Sequence, residues 1–213
     1  MMESPQLPAH LPTIYIVDDD DAVRGALGAL LGSVNLHCEA FASAEDFLVV
    51  ASHDMRGCLL LDVRMPGMSG LELQRKLLEM GITLPVVIIT GHGDVPMAVR
   101  ALKAGASDFI EKPFNEQDLL DRIQKYLKDD HDFWQARQAR GEATARFALL
   151  TPRELAVMEL IAAGGNTKRI AGQLDIQGRT VDVHRFNIMR KVGVRTLAEL
   201  LQFWSIAQQP PQH

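Results

Sequence analysis

Residues 59–73 read LLLDVRMPGMSGLEL and contain the signals of one complete strand, turn and helix. An apolar run of leucines ends at Asp62, and the MPG segment at 65–67 has the composition of a turn. Ser69, with Glu72 three residues later, forms the pattern of a capping box, which starts a helix. The stretch therefore predicts a strand whose carboxyl end carries an acidic side chain, followed by a turn and a helix.

The same alternation of apolar runs and helical patterns extends from Thr13 to Lys128. Continuous aliphatic runs, such as VVII at 86–89, are typical of parallel strands that are buried on both faces. Helices between such strands imply right-handed crossovers, so we predict a flavodoxin-like, doubly wound (βα)5 domain with strand order 2-1-3-4-5. The predicted strands are 14–17, 36–41, 58–61, 86–89 and 109–110, and predicted helices include 22–32, 44–50, 95–104 and 116–128.

Charge and polarity divide the chain into two parts. Residues 1–148 carry 14 Lys and Arg against 22 Asp and Glu, whereas residues 149–213 carry 8 against 5. Nucleic acid, if it binds, therefore belongs to the C-terminal part. We predict a first domain at 13–128, a polar linker at 129–148 that is helical at its start, and a second domain at 149–206.

The second domain has the pattern of a small all-α module. It opens with TPRE at 151–154, in which Thr can cap a helix, Pro takes the first helical position and Glu can reach back to the cap amide. Further helices are predicted at 167–174, 180–192 and 196–204, which gives four helices. In the helix at 180–192, a stripe at helical spacing predicts the core positions Val181, His184, Ile188 and Val192.

Polar side chains collect at the predicted strand ends of the first domain. Parallel α/β folds gather ligands at the carboxyl ends of their strands, so one pocket can hold all of these side chains. Carboxylates, a hydroxyl and a cation together suit a divalent metal ion and a phosphoryl group. The polar members of the pocket are Asp18, Asp19, Asp62, Thr90 and Lys112, and the aromatic Phe109 is expected beside them.

Asp62 is the candidate nucleophile, because a carboxylate can form an acyl phosphate when a metal ion screens its repulsion from phosphate. Asp18 and Asp19 supply further oxygens, and two or three carboxylates suit Mg2+, which keeps several waters. Lys112 is the compensating cation for a phosphoryl oxygen, and Thr90 can donate its hydroxyl to another. Taken singly, each residue has an ordinary alternative as part of a solvated loop, a helix cap or the surface.

Several long stretches carry a family resemblance. They are VDDDDAVR (17–24), LLLDVRMPGMSGLEL (59–73), IITGHGDVPMAVRALKAGASDFIEKPF (88–114) and, beyond position 149, LTPRELAVMELIAAG, NTKRIAGQLDI and RTVDVHRFNIMRKVGVRTLAEL. Together they resemble two-component response regulators of the FixJ/NarL type with a LuxR-type helix-turn-helix. The resemblance covers residues 13–204 and implies a phosphoacceptor receiver domain followed by a DNA-binding domain that regulates transcription.

The resemblance implies a role for each acidic residue of the pocket. Asp62 would accept a phosphoryl group from a phosphohistidine of a sensor histidine kinase. Asp19, Asp62 and the main-chain carbonyl of Arg64 would bind Mg2+, while Asp18 would orient metal-bound water. Asp20 and Asp21 match no ligand position. They are expected to cap the next helix and to interact favourably with the positive, N-terminal end of its dipole.

The resemblance also implies a switch and a path for water. Thr90 and Phe109 would form the switch, with the aromatic rotamer following the hydroxyl, although a plain core aromatic is an equal alternative for Phe109. A cis peptide bond at positions 112–113 would aim the Lys112 ammonium into the pocket. Arg64 and His92 would flank the path of attacking water and influence the phosphate lifetime.

The helix at 180–192 is the predicted DNA-recognition helix. Val183 and Phe186 suit thymine methyl groups, and Asn187 can read adenine. Base preference is not predicted, because QG at 177–178 stands where SP is common and Phe186 stands where a small residue is usual. The predicted contacts with double-stranded DNA are Lys168, Arg169, Arg179, Thr180, Val183, Phe186, Asn187, Arg190 and Lys191, with Arg185 as a further phosphate contact.

Phosphorylation adds about −1.5 to −2 charges, which is little beside the acidity of residues 1–148. A local two-state element is therefore needed, and we expect it in the face formed by the fourth helix, the fifth strand and the fifth helix, which would then dimerise. The candidate residues of that face are Val99, Leu102, Lys103 and Leu119. A phosphorylated homodimer on paired half-sites is the expected active form, and RNA polymerase is a further candidate partner.

Cysteine use and the absence of targeting signals indicate a cytoplasmic protein. Cys38 and Cys58 fall on strands that the first strand separates in the predicted order, so no disulfide is expected, as in reducing cytosol. Residues 1–12 lack Lys, Arg and an apolar core, and no run of 18 apolar residues occurs. We therefore expect a disordered leader, no signal peptide and no membrane partner.

Two rival functions remain open at this point. An aspartyl-phosphate phosphatase or phosphotransferase uses a similar nucleophile and Mg2+, but typically needs a second Asp two residues later, where this chain has Arg64. A DNA-binding protein that ignores phosphorylation is disfavoured by the intact set of pocket residues. We therefore predict a regulator and not an enzyme.

Overall fold

One parallel sheet forms the first part of the chain. The computed structural model describes residues 11–91 and 95–209, and the chain divides between Asp132 and Phe133 into two compact units. The sheet order is β2-β1-β3-β4-β5, as predicted, and all neighbours are parallel. The strands are β1 (Thr13–Val17), β2 (Cys38–Phe41), β3 (Gly57–Leu61), β4 (Val86–Thr90) and β5 (Asp108–Glu111).

Helices alternate with these strands, and two separate cores form on the two faces of the sheet. The helices are α1 (Asp21–Ser33), α2 (Ala44–Val50), α3 (Gly70–Glu79), α4 (Val95–Lys103) and α5 (Glu116–Phe147). Successive strand residues point to opposite faces, so Tyr15 and Val17 enter one core while Ile14 and Ile16 enter the other. All residues of β1, β3 and β4 are buried. The predicted doubly wound fold is confirmed.

Helix starts follow the predicted capping residues. Asp20 accepts a hydrogen bond from the Ala22 amide at 2.8 Å and caps α1. Ser69 and Glu72 form the complete capping box of α3. Strand β2 begins two residues later than predicted, because the Leu36 amide instead bonds the carbonyl oxygen of Leu31 at the end of α1.

Helix α5 continues far beyond its predicted end. The stretch 129–148, predicted as a linker that is helical at its start, is helical as far as Phe147. Ala143 and Phe147 are buried, and Arg146 pairs with Glu142 one turn earlier. The two buried apolar residues lie one turn apart, and together with the i,i+4 ion pair they favour the helix at the end of this polar sequence.

The second unit, as far as residue 209, contains four helices besides the end of α5: α6 (Pro152–Ala162), α7 (Thr167–Leu174), α8 (Gly178–Val192) and α9 (Leu197–Gln208). The capping box predicted at Thr151 is present. Val181, Ile188 and Val192 are 0% exposed, as predicted. His184 is only half-buried, so its predicted core position is wrong, because it lies at the margin of the buried side of α8.

Cys38 and Cys58 are free thiols, as predicted. Both are level with Ile14 of β1, which pairs with Cys38 on one side and with Cys58 on the other. The predicted leader falls mostly on residues 1–10, which lie outside the described residues. Within 11–91 and 95–209, no helix is both long and apolar enough to cross a membrane.

A buried glutamine joins α3 to α4. Gln74 is 1% exposed, and its Nε2 donates to the carbonyl oxygens of Ala101 (3.3 Å) and Ala104 (2.9 Å). These carbonyls lie at the C-terminal end of α4, where main-chain acceptors lack partners within the helix. The Oε1 atom of Gln74 is buried and has no hydrogen-bond partner among the described residues. Gln74 thus caps α4 from a neighbouring helix.

Replacing Gln74 with Glu is expected to lower the free energy of unfolding by about 2–4 kcal/mol at neutral pH, because an unpaired carboxylate would face two carbonyl oxygens in a buried place. Urea unfolding of the full chain measures the effect. Gln74→Leu is the control: it removes the donor together with the unsatisfied Oε1, and we expect a smaller loss. An unchanged free energy of unfolding in Gln74→Leu would contradict the capping role.

Candidate functional site

Two carboxylates and one ammonium group meet at the carboxyl ends of the strands. In the register of β1 and β3, Val17 lies beside Leu61, so Asp18 and Asp62 come level as the next residue of each strand. The Nζ atom of Lys112, directly after β5, lies 2.7 Å from Oδ2 of Asp18 and 3.2 Å from Oδ1 of Asp62. The structure brings these three predicted pocket residues together.

The loop after β3 fixes the position of Asp62. Its Oδ2 accepts a hydrogen bond from the Arg64 amide at 2.6 Å. The loop returns at Gly70, whose amide donates to the carbonyl oxygen of Val63 at 3.0 Å. A Cβ atom at Gly70 would lie 2.1 Å from the carbonyl oxygen of Asp62, so only glycine fits there. Sequence reasoning missed this role, although a glycine in the first turn of a predicted helix is a signal for close approach.

Burial and the neighbouring ammonium oppose each other in setting the charge of Asp62. Burial raises the pKa of this carboxyl, while the hydrogen bond and charge of Lys112 and the Arg64 amide act to lower it, and the net shift is upward. Burial also acts to lower the pKa of Lys112, but Asp18 and Asp62 outweigh it and raise that pKa. The ammonium therefore stays charged between two acidic groups.

The other predicted pocket residues occupy different environments. Asp18 is buried, and its Oδ1 accepts the Asp20 amide at 2.9 Å. Asp19, next in the chain, is exposed. Thr90 is 1% exposed at the end of β4, and Phe109 is half-buried on β5 and packs against one of the two cores.

The structure does not preassemble the full set of acidic ligands expected from the sequence. Among the described residues, no three or more His, Cys, Asp or Glu side chains form a group that could hold a metal ion. Asp18 and Asp62 share Lys112 instead. The Lys112-Pro113 bond is cis, as predicted. Arg64 is exposed, whereas the prediction for His92 falls outside the described residues.

The DNA contacts predicted on α7 and α8 are mostly exposed. Gln177 precedes α8 and makes no side-chain cap bond, in line with its departure from the family pattern. Asn187 is half-buried. The exposed members of the predicted set are Lys168, Arg169, Arg179, Thr180, Val183, Phe186 and Arg190.

Two cations predicted as phosphate contacts have partners inside the domain. Lys191 donates to Oε2 of Glu154 (2.7 Å) and to the carbonyl oxygen of Leu149 (3.2 Å). Arg185 donates to Oγ1 of Thr167 at 3.2 Å, which ties α8 to the start of α7. In the DNA-free protein the Lys191 ammonium neutralises a nearly buried carboxylate, and the roles of Lys191 and Arg185 as phosphate contacts stay predictions.

Glu154 connects the start of α6 to the end of α8. Its side chain is 6% exposed, and Oε2 accepts the Thr151 amide at 2.8 Å besides the Lys191 ammonium. Burial alone would raise the pKa of Glu154, but the hydrogen bonds from Lys191 and Thr151 lower it to about 2. Sequence reasoning identified the capping role and missed the ion pair, because nothing local relates positions 154 and 191.

Replacing Asp62 with Asn is expected to raise the free energy of unfolding at neutral pH. The folded-state pKa of Asp62 lies above its ordinary value, so ionisation opposes folding once the pH exceeds that ordinary value. The gain should vanish at lower pH, where both states are protonated. Urea unfolding across this pH range measures the change in the free energy of unfolding, and Asp19→Asn, at an exposed position, is the control. A loss of stability in Asp62→Asn at neutral pH would contradict the argument that burial raises the pKa of Asp62.

Replacing Glu154 with Gln is expected to destabilise the chain by about 1–3 kcal/mol at neutral pH. The folded-state pKa is depressed, so this stabilisation is fully present above the ordinary pKa of 4.5 and is lost as the pH falls to about 2. The difference between the two proteins in urea unfolding should therefore shrink on acidification. Lys191→Met is the matched control, because it removes the other member of the ion pair. If the difference in unfolding free energy between the wild-type protein and Glu154→Gln did not change with pH, the ion pair would be excluded as its cause.

Family comparisons account for both units. The model for the response regulator receiver domain matches residues 14–124, and that for the luxR family of bacterial regulatory proteins matches residues 148–204. The chain is 47% identical over 189 residues to the response regulator protein TmoT of Ectopseudomonas mendocina, which covers 89% of this chain and 86% of TmoT. It is 42% identical over 205 residues to the transcriptional regulatory protein FixJ of Azorhizobium caulinodans, covering 96% and 97%.

A solved structure supports the same assignment. The response regulator StyR aligns with a TM-score of 0.82 at 47% identity, covering 91% of this chain and 98% of StyR. Receiver and LuxR-type domains in one chain have a regulatory and non-enzymatic role, as the sequence predicted. The chain belongs to the two-component response regulators that join a receiver domain to a LuxR-type DNA-binding domain and regulate transcription.

Proposed function

We propose that this response regulator acts in the cytoplasm as the output of a sensor histidine kinase. Asp62 takes a phosphoryl group from a phosphohistidine of that kinase with Mg2+ present. Phosphorylated chains then pair into a homodimer that binds a specific double-stranded DNA site. RNA polymerase is the further partner of the DNA-bound dimer.

The position of Lys112 carries this proposal. Its ammonium contacts both Asp18 and Asp62, and so lies where a phosphoryl oxygen on Asp62 needs a cation. Transfer breaks the phosphorus–nitrogen bond of the phosphohistidine and forms a phosphorus–oxygen bond to the Asp62 carboxylate. A phosphoryl oxygen then takes the place of that carboxylate as a partner of Lys112, and the kinase histidine departs as the leaving group.

The donor chemistry around Asp62 fits Mg2+, which prefers carboxylate and carbonyl oxygens and keeps several waters. The residues that would hold it are Asp18, Asp19, Asp62 and the carbonyl group of Arg64. When bound, the ion screens the repulsion between the carboxylate and the incoming phosphoryl group. Two carboxylates share one ammonium in the pocket, and this excess of negative charge favours a cation.

The switch is proposed to act through Thr90 and Phe109. Moving a population from mostly inactive to mostly active takes about 5.5 kcal/mol of differential stabilisation. Charge-assisted hydrogen bonds from Thr90 and Lys112 to the phosphoryl oxygens, together with a repacked Phe109, approach that figure. Helix α4 is a suitable responding element, because Ala101 is its one buried residue within the described part.

The proposed dimer face is smaller than the sequence predicted. Val99 and Leu102 on α4 are 43% and 48% exposed, and Lys103 is exposed beside them. Leu119 on α5 is 0% exposed and belongs to a core, so its prediction as a face residue is wrong. Its spacing within an amphipathic helix could not show which side of α5 meets the sheet.

DNA binding is proposed through α7 and α8. Lys168, Arg169 and Arg179 are exposed at or near the starts of these helices, where the helix dipole also favours a phosphate. Because Gln177 supplies no side-chain cap, main-chain donors at the start of α8 can take part. The small positive charge of residues 149–213 gives a monomer weak affinity, so a dimer on paired half-sites is the active form.

Beryllofluoride with Mg2+ tests this proposal, since it imitates a phosphoryl group on an aspartate. We expect the full chain to change from monomer to dimer in sedimentation and to gain about tenfold or more in affinity for duplex DNA selected from a random pool. Asp62→Asn should lose both responses, whereas the exposed Asp20→Asn should keep them.

The rivals give different results in this experiment and in its variant with a small phosphoryl donor in place of beryllofluoride. A regulator that ignores phosphorylation would bind DNA equally with and without beryllofluoride. A phosphotransferase or phosphatase would release phosphate continuously from a small donor and show no coupling to DNA. Unchanged dimerisation of the Asp62→Asn variant contradicts the proposed route.

A further inference from the structure

The last turn of α5 is packed into the core of the DNA-binding domain. Phe147 is buried, and its ring packs edge-on against Trp204 of α9 with the ring centres 4.9 Å apart. Residues three and four apart share one face of a helix, so Ala143, Arg146 and Phe147 lie on the same side of α5. The sequence predicted this stretch as a linker, whereas the structure makes its end a part of the second unit.

The guanidinium group of Arg146 has three partners in this unit. Its Nη1 donates to the carbonyl oxygen of Val192 at 2.8 Å, and its Nη2 pairs with Glu142. Its central carbon also lies 5.0 Å from the centre of the Phe203 ring on α9. A planar group with several donors suits these partners, because it can hydrogen bond, pair and stack at the same time. One side chain of α5 therefore joins α8 and α9.

The contact with Val192 lies at the C-terminal end of α8, where the last carbonyl groups have no partners within the helix. The amides of Gly193 and Val194 both donate to the carbonyl oxygen of Met189, at 2.9 and 3.0 Å, and close the last turn. Arg146 serves the carbonyl of Val192 from outside α8. A cation at this place also interacts favourably with the negative end of the helix dipole.

Arg146 differs from two other cations that hold α8. Lys191 and Arg185 are side chains of α8 itself, and they reach partners on α6 and α7. Such side chains can bend to follow a small shift of their own helix. Arg146 instead belongs to a neighbouring helix and binds the main chain of α8. Apolar contacts on the buried side of α8 have no direction, so polar contacts of this kind fix where its backbone lies.

We propose that Arg146 is a positioning residue for DNA binding. By holding the main chain at the end of α8, it keeps this helix in the position from which its exposed side can enter a groove of DNA. A helix that is ordered in advance loses less entropy on binding, so the contact raises the affinity without touching DNA. The inference rests on the proposed function and adds a residue of α5 to the DNA-binding domain.

Arg146→Met tests the proposal, because it removes the donors and the charge and keeps an unbranched apolar stem. The full chain with beryllofluoride and Mg2+ is titrated against a duplex that the wild-type chain has selected from a random pool. We expect about tenfold weaker binding in fluorescence anisotropy, as for the loss of one charge-assisted hydrogen bond. Arg137→Met is the matched control: it removes the same charge from an exposed position of α5 and should bind as the wild type does.

Salt dependence separates positioning from a phosphate contact. The slope of log affinity against log salt should be equal in Arg146→Met and in the wild type, because the guanidinium group binds protein partners. A direct phosphate contact of Arg146 would give the variant a slope lower by about 0.9 for each bound protomer. That result would overturn the positioning role.

Amide hydrogen exchange in the DNA-free chain reports the order of α8 directly. In Arg146→Met, the amides of Gly193 and Val194 should exchange faster than in the wild type, because the last turn of α8 has lost its external donor. The same amides should keep their exchange rates in Arg137→Met. Unchanged exchange of both amides in Arg146→Met would contradict the inference.

Phe203→Leu tests the same contact through a second residue, and decides the matter if Arg146→Met does not fold. It removes the ring beside the guanidinium group, keeps an apolar side chain on α9 and should weaken DNA binding about threefold. Thermal melts followed by circular dichroism identify the folded variants. Wild-type affinity in a folded variant of either residue overturns the inference and leaves the proposed function intact. If the wild-type chain selects no sequence from the pool, both fail.

Discussion

The ammonium group of Lys112, held between Asp18 and Asp62, is the contact on which the receiver domain depends. The three residues follow three different strands. Asp18 and Asp62 are level in the register of β1 and β3, whereas Lys112 lies two positions further along β5 and reaches both carboxylates with its side chain. Burial raises the pKa of Asp62 and favours its neutral form, while the charge of Lys112 opposes that shift. Asp62 must be ionised to act as a nucleophile. The Lys112 ammonium, which compensates the buried charge of Asp62, therefore also favours the reactive form of this carboxylate.

Much of the receiver fold is predictable because its signals are local. Runs such as 86–89 are apolar throughout since β4 is buried at every residue, and the box at Ser69 fixes the start of α3. Gly70 and Gln74 were missed for the opposite reason. Gly70 is required because the main chain there closely approaches the carbonyl oxygen of Asp62, and Gln74 donates hydrogen bonds to carbonyl oxygens of α4. Both contacts join positions that only the folded chain brings together.

Charge and exposure were the least predictable features of the DNA-binding domain. Helical period placed Ile188 correctly in the core, yet His184 lies at the margin of the same side and is half-buried. Composition alone could not distinguish Lys191, which neutralises Glu154, from Arg190, which remains at the surface. The distinction matters for stability, since removing one partner of a buried ion pair leaves an uncompensated charge.

Chemical trapping of the acyl phosphate tests the central claim most directly. The full chain is treated with a small phosphoryl donor and Mg2+ and is then reduced with borohydride, which converts an aspartyl phosphate to homoserine. Peptide mass spectrometry should find homoserine at position 62, and chelation of Mg2+ should abolish it. Homoserine at another aspartate, or its complete absence while DNA binding still responds to the donor, would contradict the role of Asp62 beside Lys112.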